Sequence, residues 1–416
     1  MSELNENELS TQQPEQPVVE NEPAPAQQPE TAEKGAPKWT KIVELVSIIC
    51  IAAAGLLSAL FLCLLSYKEV AMSMDGWAPA LTEKSYMFSD VVKSMQEAVK
   101  ALADDINSSG DVSIGGLANV MAQVLYDAYV MIFMLVGIIA GIVLGIMLII
   151  KCIQHFAMKR ESTLEKTAIT ACLFFFATAI IVLNMAMFYM TDGKDVMGVK
   201  TYGGATVAGL VICGILFALY FVGKIVANYK NYLGDRNKLI NGCFNLGWAV
   251  VAMLVLAILS CAPIVASIKE MGESLQYGYG FNYLFSDAFG QVIKKADGAS
   301  TEMMKELANQ YAYSALGMLI FVWFVYQSGK SLHGAMRGVA SAEKTVKLGS
   351  QIWRLVFSVL YLIICVVLSK EVFPKDSGMK VSLAAPVVIL VFSIIGLVLA
   401  IVNKILVADK VEKKEI

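Results

Sequence analysis

Eight long apolar runs constrain this chain more than any other feature of its sequence. Each run can cross about 30 Å of hydrocarbon, and each is predicted to be a helix because lipid offers no hydrogen-bond partners to free backbone groups. The composition agrees, since only 16% of the residues are charged, whereas about a quarter are charged in soluble proteins. The predicted spans cover residues 42–66, 128–150, 167–190, 205–228, 243–266, 311–330, 352–370 and 384–407.

Short sequence echoes that recur in one order indicate an internal duplication. Residues 66–69, 86–90 and 165–167 return as residues 267–270, 283–287 and 343–345, at offsets of 201, 197 and 178. The predicted fold class is therefore all-α: a multi-pass integral membrane protein whose eight transmembrane helices form a tandem duplication of a four-helix unit. The first repeat is placed at residues 39–238 and the second at residues 239–416. Four spans in each repeat give both copies the same orientation, which makes this a parallel repeat.

A long connection follows the first span of each repeat, and each is predicted to form an extracytoplasmic helical hairpin, at residues 68–126 and 269–310. In the first connection, apolar residues spaced four and three apart form a heptad-like seam that Ser89 or Asp90 can cap. That seam comprises Phe88, Val92, Met95, Val99, Leu102 and Ile106. The second connection repeats the pattern with seven residues fewer, so its hairpin is expected to be shorter. Two amphipathic helices lying on the outer leaflet are the alternative.

The distribution of lysine and arginine predicts the orientation. All four arginines, Arg160, Arg236, Arg337 and Arg354, lie in or beside the loops after spans 2, 4 and 6. The positive-inside bias puts that side, with both termini, in the cytoplasm, and the membrane is expected to be the cell or cytoplasmic membrane. Residues 1–38, rich in Glu, Gln and Pro, are predicted to be a disordered cytoplasmic tail. This tail is either a solvated leader or a regulated partner-binding segment.

Two sets of residues within the predicted spans are candidates for a structural or functional role. Gly137, Gly141 and Gly145 recur at every fourth position, which lines one helix face with glycine and lets another helix approach closely. This stripe is interpreted as helix packing within the chain, with a gating contact or a dimer seam as alternatives. Asn184 and Gln327 are the most interior polar side chains, and they form either a candidate polar path or interhelical hydrogen bonds.

Charged residues avoid the centres of the predicted spans. Glu44, Lys224, Arg354 and Lys404 lie near span ends, and their side chains are expected to reach water from there. Because ion-coupled transport usually needs an ionisable group within the membrane, coupled transport is not expected.

No pattern of catalytic, cofactor-binding or metal-ligating residues is present in the sequence. The eight cysteines lie in or beside apolar runs without a C-x-x-C spacing, and the two histidines, His155 and His333, lie near the ends of spans. We therefore predict no enzyme activity, no cofactor and no metal. A net charge of −2 argues against a nucleic-acid partner.

The expected function is that of a non-enzymatic assembly, scaffold or sensing component that contacts the lipid bilayer and binds a protein partner through its outer hairpins. A channel or facilitative transporter that uses the interface between the two repeats is the alternative. A dry, leucine- and glycine-packed interface favours the scaffold, whereas a polar cavity at that interface favours transport. The sequence leaves the oligomeric state open.

Overall fold

The computed structural model describes residues 38–75, 78–109, 114–159, 163–191, 196–270, 273–295, 300–341, 347–373 and 378–411. Eight of its helices are long and apolar enough to cross a membrane, and each carries one of the predicted spans. They are α1 (Lys38–Cys63), α3 (Ile114–Cys152), α4 (Leu164–Ala186), α5 (Gly204–Ala227), α7 (Arg236–Leu259), α9 (Thr301–Ser341), α10 (Leu348–Val372) and α11 (Ala384–Val411). The prediction of an all-α, multi-pass membrane protein is thereby confirmed in its helical class and in its eight membrane-spanning helices. The predicted disordered tail lies, except for Lys38, outside the described residues.

The eight helices pack as two groups of four. We call α1, α3, α4 and α5 the first bundle and α7, α9, α10 and α11 the second bundle, and α4 packs against α9 to join them. Their outward faces are apolar, as at Ile139, Val211, Leu219 and Val398, which fits contact with lipid. Helices α3 and α9 contain 39 and 41 residues, or about 58 and 62 Å at about 1.5 Å per residue. Each is therefore about twice as long as the hydrocarbon is thick and extends beyond it.

Seven antiparallel strands among the described residues form one sheet at a single end of both bundles, which we call the sheet end. They are β1 (Tyr67–Asp75), β2 (Ala78–Tyr86), β3 (Phe188–Thr191), β4 (Val196–Tyr202), β5 (Ile264–Glu270), β6 (Glu273–Tyr279) and β7 (Lys380–Ser382). Their order across the sheet is β2-β1-β4-β3-β6-β5-β7. The opposite end, with a π-helical turn (Ile153–Ala157) and the short helix α6 (Tyr229–Gly234), is the far end. The sequence analysis did not predict this sheet, which adds a small β layer to a chain that is otherwise helical.

The strands were hidden in the sequence because the apolar runs continue from helix into strand. The predicted fifth span reached residue 266, but α7 ends at Leu259 and β5 begins at Ile264. Ile264, Val265 and Ala266 are apolar, so hydropathy alone assigns them to the helix. Pro263 lacks a backbone N–H and stops the helix before them.

One strand pair joins the two bundles. Strand β3, which follows α4, pairs with β6, which follows α7 through β5, and the register runs from Phe188 opposite Tyr279 to Thr191 opposite Gln276. The two flanking hairpins, β3–β4 and β5–β6, belong to different bundles. The ladder between β3 and β6 therefore ties the bundles together at the sheet end.

Helices also occupy both connections that were predicted to be helical hairpins, but each is preceded by a β-hairpin. Helix α2 (Phe88–Ser109) has 22 residues and packs on α3, while α8 (Phe281–Lys295) has 15 residues and packs on α9. Helix α8 is the shorter of the two helices. The carboxylate of Asp90 accepts a hydrogen bond from the backbone N–H of Met87 at 3.0 Å, so Asp90 caps α2.

The packing of α2 and α8 differs from the predicted apolar seam and from the predicted projecting hairpins. Val99 of the predicted α2 seam is 55% exposed, whereas Val91, outside that seam, is fully buried. Helix α8 packs on α3 and α4 as well as α9, and its Phe281, Leu284 and Phe285 are buried. The second hairpin is therefore wedged between the bundles, and α2 is the more exposed of the two helices.

Candidate functional site

The sheet, α2, α8 and the projecting parts of α3 and α9 form what we call the sheet-end layer. Within it, the Asp127 carboxylate on α3 is buried and accepts hydrogen bonds from Ser94 Oγ on α2 at 2.9 Å and Gln123 Nε2 at 3.0 Å. The neighbouring Tyr126 donates its hydroxyl to the carbonyl of Ala186 at 3.0 Å. These contacts fix α2 and α3 to the end of α4.

A second set of contacts fixes α8 between the long helices. Asn282 Nδ2 donates to the carbonyl of Tyr126 at 3.2 Å. The ring of Phe285 stacks on Tyr311 of α9 at 4.5 Å between centroids and meets Tyr129 of α3 edge-on at 5.6 Å. Because buried aromatic pairs add about 0.5–1.5 kcal/mol each beyond their area, the layer is packed like a protein core.

The base of the β1–β2 hairpin is fixed by aromatic and charged contacts. Tyr67 and Tyr86 face each other across the strands, with stacked rings 5.0 Å apart. Burial raises the pKa of Tyr67, and the charges of Asp127 and Glu69 raise it further, so this hydroxyl stays neutral at physiological pH. Lys200 of β4 lies 4.3 Å above the Tyr126 ring and 3.8 Å from the Glu69 carboxylate.

The distal part of the same hairpin projects from the sheet, and we call it the ribbon (residues 72–75 and 78–82). Strand β1 pairs with β4 only from Tyr67 to Ala71, while β2 pairs with β1 along its whole length. Met72 and Leu81 are directly paired and therefore lie on one face, and they are 36% and 58% exposed. Among the described strands, β2 has no neighbour on its other side. The ribbon is the candidate contact site of the sheet-end layer.

The glycine stripe of α3 packs against α1 of the same chain. A Cβ placed on Gly141 would lie 2.5 Å from the Ala59 carbonyl oxygen and 2.8 Å from Cys63 Sγ. A Cβ on Gly137 would lie 2.9 Å from Leu65 Cδ1, while one on Gly145 would have only an ordinary contact at 3.6 Å. The close approach is therefore tightest in the middle of the stripe.

Replacing Gly141 with leucine is expected to destabilise the first bundle, because the new side chain meets the backbone of α1, which cannot turn aside. Overpacking of this kind costs about 1–3 kcal/mol. The yield of monodisperse protein after detergent extraction, and its melting temperature, measure the effect. The control is Val143→Phe, which adds bulk at an exposed position of the same helix. Equal yields for the two variants would contradict the packing role of Gly141.

The structure does not bring Asn184 and Gln327 together. Asn184 is fully buried at the sheet end of α4, where its Nδ2 donates to the carbonyls of Leu259 at 3.2 Å and Cys261 at 3.1 Å. Gln327 is only partly buried in α9. Tyr326, next to Gln327, lines one groove together with Ala177 of α4, which is seven residues from Asn184 (184 − 177), so Asn184 and Gln327 lie at different depths. Asn184 acts as an interhelical hydrogen-bond donor that caps α7.

Two charged residues that were expected to reach water are buried instead. Lys224 is 7% exposed, and its ammonium lies 3.2 Å from Glu165 Oε1 and 3.6 Å from Glu44 Oε1. Tyr220 donates its hydroxyl to the same Glu165 oxygen. This network fixes α1, α4 and α5 to one another near the far end of the first bundle.

Arg354 is the second of these residues, and its position in the second bundle is different. Its side chain is 0% exposed, and its Nε, Nη1 and Nη2 have no hydrogen-bond partner in the described part of the chain. The guanidinium lies against Gly396 of α11, where a Cβ would overlap it. The carbonyl of Gly396 accepts a hydrogen bond from Trp248 Nε1 at 2.9 Å. A buried charge that has no partner among the described residues is costly to the folded protein.

Arg354 belongs to a buried polar stripe that the sequence analysis missed. Gln351, Arg354, Ser358 and Tyr361 on α10 are all fully buried, and their spacing of three, four and three puts them on one helix face. Gln351 Nε2 donates to Ser331 Oγ of α9 at 3.2 Å. The signal was present, because these polar residues recur with helical period in an otherwise apolar run.

The described residues contain no group of three His, Cys, Asp or Glu side chains placed to hold a metal ion. No family model, no curated protein and no solved structure matches this chain.

Proposed function

We propose that this protein is a non-enzymatic assembly, scaffold or sensing component of the cell or cytoplasmic membrane, and that its sheet-end layer is the contact surface. The observation that carries the proposal is the single sheet built by strands from both bundles. The sheet joins the sheet-end connections of both bundles by backbone hydrogen bonds, so these connections form one rigid surface instead of separate loops. No catalytic activity is part of the proposal.

The same sheet argues against the transporter alternative. Alternating access rocks one repeat against the other, and the β3–β6 ladder and the wedged helix α8 both oppose that motion. The groove between the bundles is lined mostly by apolar side chains such as Leu210, Phe217, Met253 and Leu256. This apolar lining along the membrane-spanning helices supports the scaffold over a polar transport path.

We also propose that the two bundles are a tandem duplication. The order of elements supports it: helix, two strands, short helix, two long helices, then strand and helix occur in both halves. The first half has two strands, β3 and β4, at the place where the described part of the second half has β7 alone.

The proposed orientation puts the sheet end outside and the far end in the cytoplasm. The described arginines Arg236, Arg337 and Arg354 belong to the far-end halves of their helices, which supports this orientation. Single cysteines at Ser108 and Ser300, in a cysteine-free background, are expected to react with an impermeant thiol reagent on intact cells. A cysteine at Gly234, an exposed far-end position, is expected to react only after permeabilisation. The opposite pattern would reverse the orientation.

The proposed partner is an extended, apolar segment of another protein that pairs with the free edge of β2. The open edge supplies backbone donors and acceptors, and Met72 and Leu81 supply an apolar face. A photo-crosslinking residue at Ser85, exposed on the same face as Leu81, is expected to give one discrete protein adduct in cells.

Two controls decide whether that adduct reports the ribbon. The double variant Met72→Ser, Leu81→Ser is expected to abolish it, and the same crosslinker at Lys84, on the opposite face, is expected not to form it. An adduct that persists in the double variant would contradict the ribbon as contact site. In liposomes, gradient-driven solute uptake that stops when Asn184 or Gln327 is made apolar would favour a transporter instead.

A further inference from the structure

A groove of about 380 Å³ runs between the two bundles from the sheet end toward the far end. It is formed by α4, α5, α7 and α9, and its walls are apolar: they include Ile180, Leu210, Phe217, Met253, Leu256 and Met336. These walls belong to helices long and apolar enough to cross the membrane, so the groove is expected to face hydrocarbon rather than water.

A second cavity, of about 510 Å³, lies where the groove meets the sheet. It shares Tyr202 and Ser260 with the groove, so the two are adjacent. Its lining carries five hydroxyl groups, those of Tyr189, Thr201, Tyr202, Ser260 and Ser382. Burial raises the pKa of Tyr189 and of Tyr202, so both phenols keep their protons at physiological pH. We call the groove the stem and the upper cavity the mouth.

We propose that the stem and mouth bind one uncharged membrane lipid, with an acyl chain in the stem and a head group of hydroxyls or ester carbonyls in the mouth. Both volumes fall in the range of about 300–1,000 Å³ that is usual for small-molecule sites. Neutral donors and acceptors around an apolar channel match a molecule that is apolar along its length and hydrogen-bonding at one end.

The charge of the lining selects the class of lipid. In the described part of the chain, no Lys, Arg, Asp or Glu lines either cavity. A phosphate head group would therefore find no counter-charge in this lining, whereas hydroxyls and ester carbonyls would find hydrogen-bond partners. A second groove, of about 250 Å³, lies on the other side of the α4–α9 contact. It differs from the stem because Lys330 and His333 are among its lining residues.

Two glycines supply a matched test of occupancy. A Cβ on Gly214 in the stem, or on Gly329 in the other groove, would meet no atom within 4 Å, so both positions border open space. Gly214→Phe fills the stem with little strain, and Gly329→Phe fills the other groove in the same way. The two variants are expected to fold equally well and to differ only in which groove is closed.

The probe is a pyrene-labelled diacylglycerol, compared with phosphatidic acid carrying the same chains, and binding is measured to the full-length protein in nanodiscs. Wild type and Gly329→Phe are expected to bind diacylglycerol equally, and Gly214→Phe about tenfold more weakly. The double variant Tyr202→Phe, Ser260→Ala keeps the stem and loses two hydroxyls, so a loss of about three- to tenfold is expected.

Two outcomes would overturn the proposal. Equal binding of diacylglycerol and phosphatidic acid would show only non-selective contact with bilayer lipid. Unchanged binding in both Gly214→Phe and the hydroxyl double variant would place the lipid elsewhere. Neither outcome bears on the ribbon, so this test is independent of the crosslinking test of the proposed function.

Discussion

Replacing Arg354 with methionine is expected to raise the thermal stability of the purified protein. The guanidinium is fully buried, and its three nitrogens lack hydrogen-bond partners among the described residues, so folding removes its hydration without compensation. Replacing buried ionic groups by apolar residues of similar volume is neutral or stabilising by about 1–4 kcal/mol. Because Arg354 is unpaired, the gain is expected near the upper end of that range.

Lys224→Met is the matched control, and this variant is expected to have lower thermal stability than the wild type. Lys224 is also buried, but its ammonium lies within 3.6 Å of two carboxylates. Removing it leaves Glu165 without its cation, at a cost of about 1–3 kcal/mol, moderated because Glu165 is partly exposed. Melting temperatures of both variants in one detergent decide the matter. If Arg354→Met is destabilising like Lys224→Met, the guanidinium has a stabilising partner.

Replacing Gly280 with valine is expected to prevent accumulation of folded protein. Gly280 follows β6 and precedes α8, and its backbone N–H donates to the carbonyl of Met187, in the first half of the chain, at 2.9 Å. A Cβ at this position would overlap the carbonyl oxygen of Asn184 and lie 3.0 Å from that of Met187. Both of these atoms belong to the backbone, so the clash can be removed only if the two halves of the chain move apart.

The expected cost exceeds about 3 kcal/mol, the upper part of the usual range for overpacking. Gly204→Val is the control, because Gly204 also begins a helix after a strand but a Cβ there meets no atom within 4 Å. Fluorescence-detected size-exclusion chromatography compares the folded fractions. If Gly280→Val and Gly204→Val have equal folded fractions, the backbone around Gly280 can shift to accept a side chain, and the prediction is wrong.

The sequence predicted the helices well because membrane helices follow from length and hydropathy alone. It missed the sheet, although Asp75-Gly76 and Asp192-Gly193 are dipeptides typical of β-hairpins. Stronger patterns compete with those signals: Ile264 and its neighbours prolong the apolar runs, and the α2 pattern predicts helix throughout the connection. The pairing of β3 with β6 joins residues about 90 positions apart (279 − 188), and no local pattern encodes such a contact.

For the candidate sites too, local patterns could be predicted from the sequence, whereas contacts between distant residues could not. The Gly141 stripe is local, so its spacing could be read from the sequence. Arg354 was misjudged because its closeness to the start of α10 suggested access to water, whereas α11 covers it at Gly396. The stem and mouth combine residues from α5, α7 and four strands, and only the assembled fold brings them together.

The ladder between β3 and β6 has a consequence for biogenesis. Once Tyr202 has been synthesised, β1 to β4 are complete, but the open edge of β3 has no partner until Tyr279 is made, 77 residues later (279 − 202). At about 5–20 residues per second, that interval lasts roughly 4–15 seconds. During it, the free edge of β3 can pair with an unpaired β6 of a neighbouring nascent chain on the same membrane. Crowded synthesis therefore favours exchange of second halves between nascent chains, and slower expression favours the monomeric pairing.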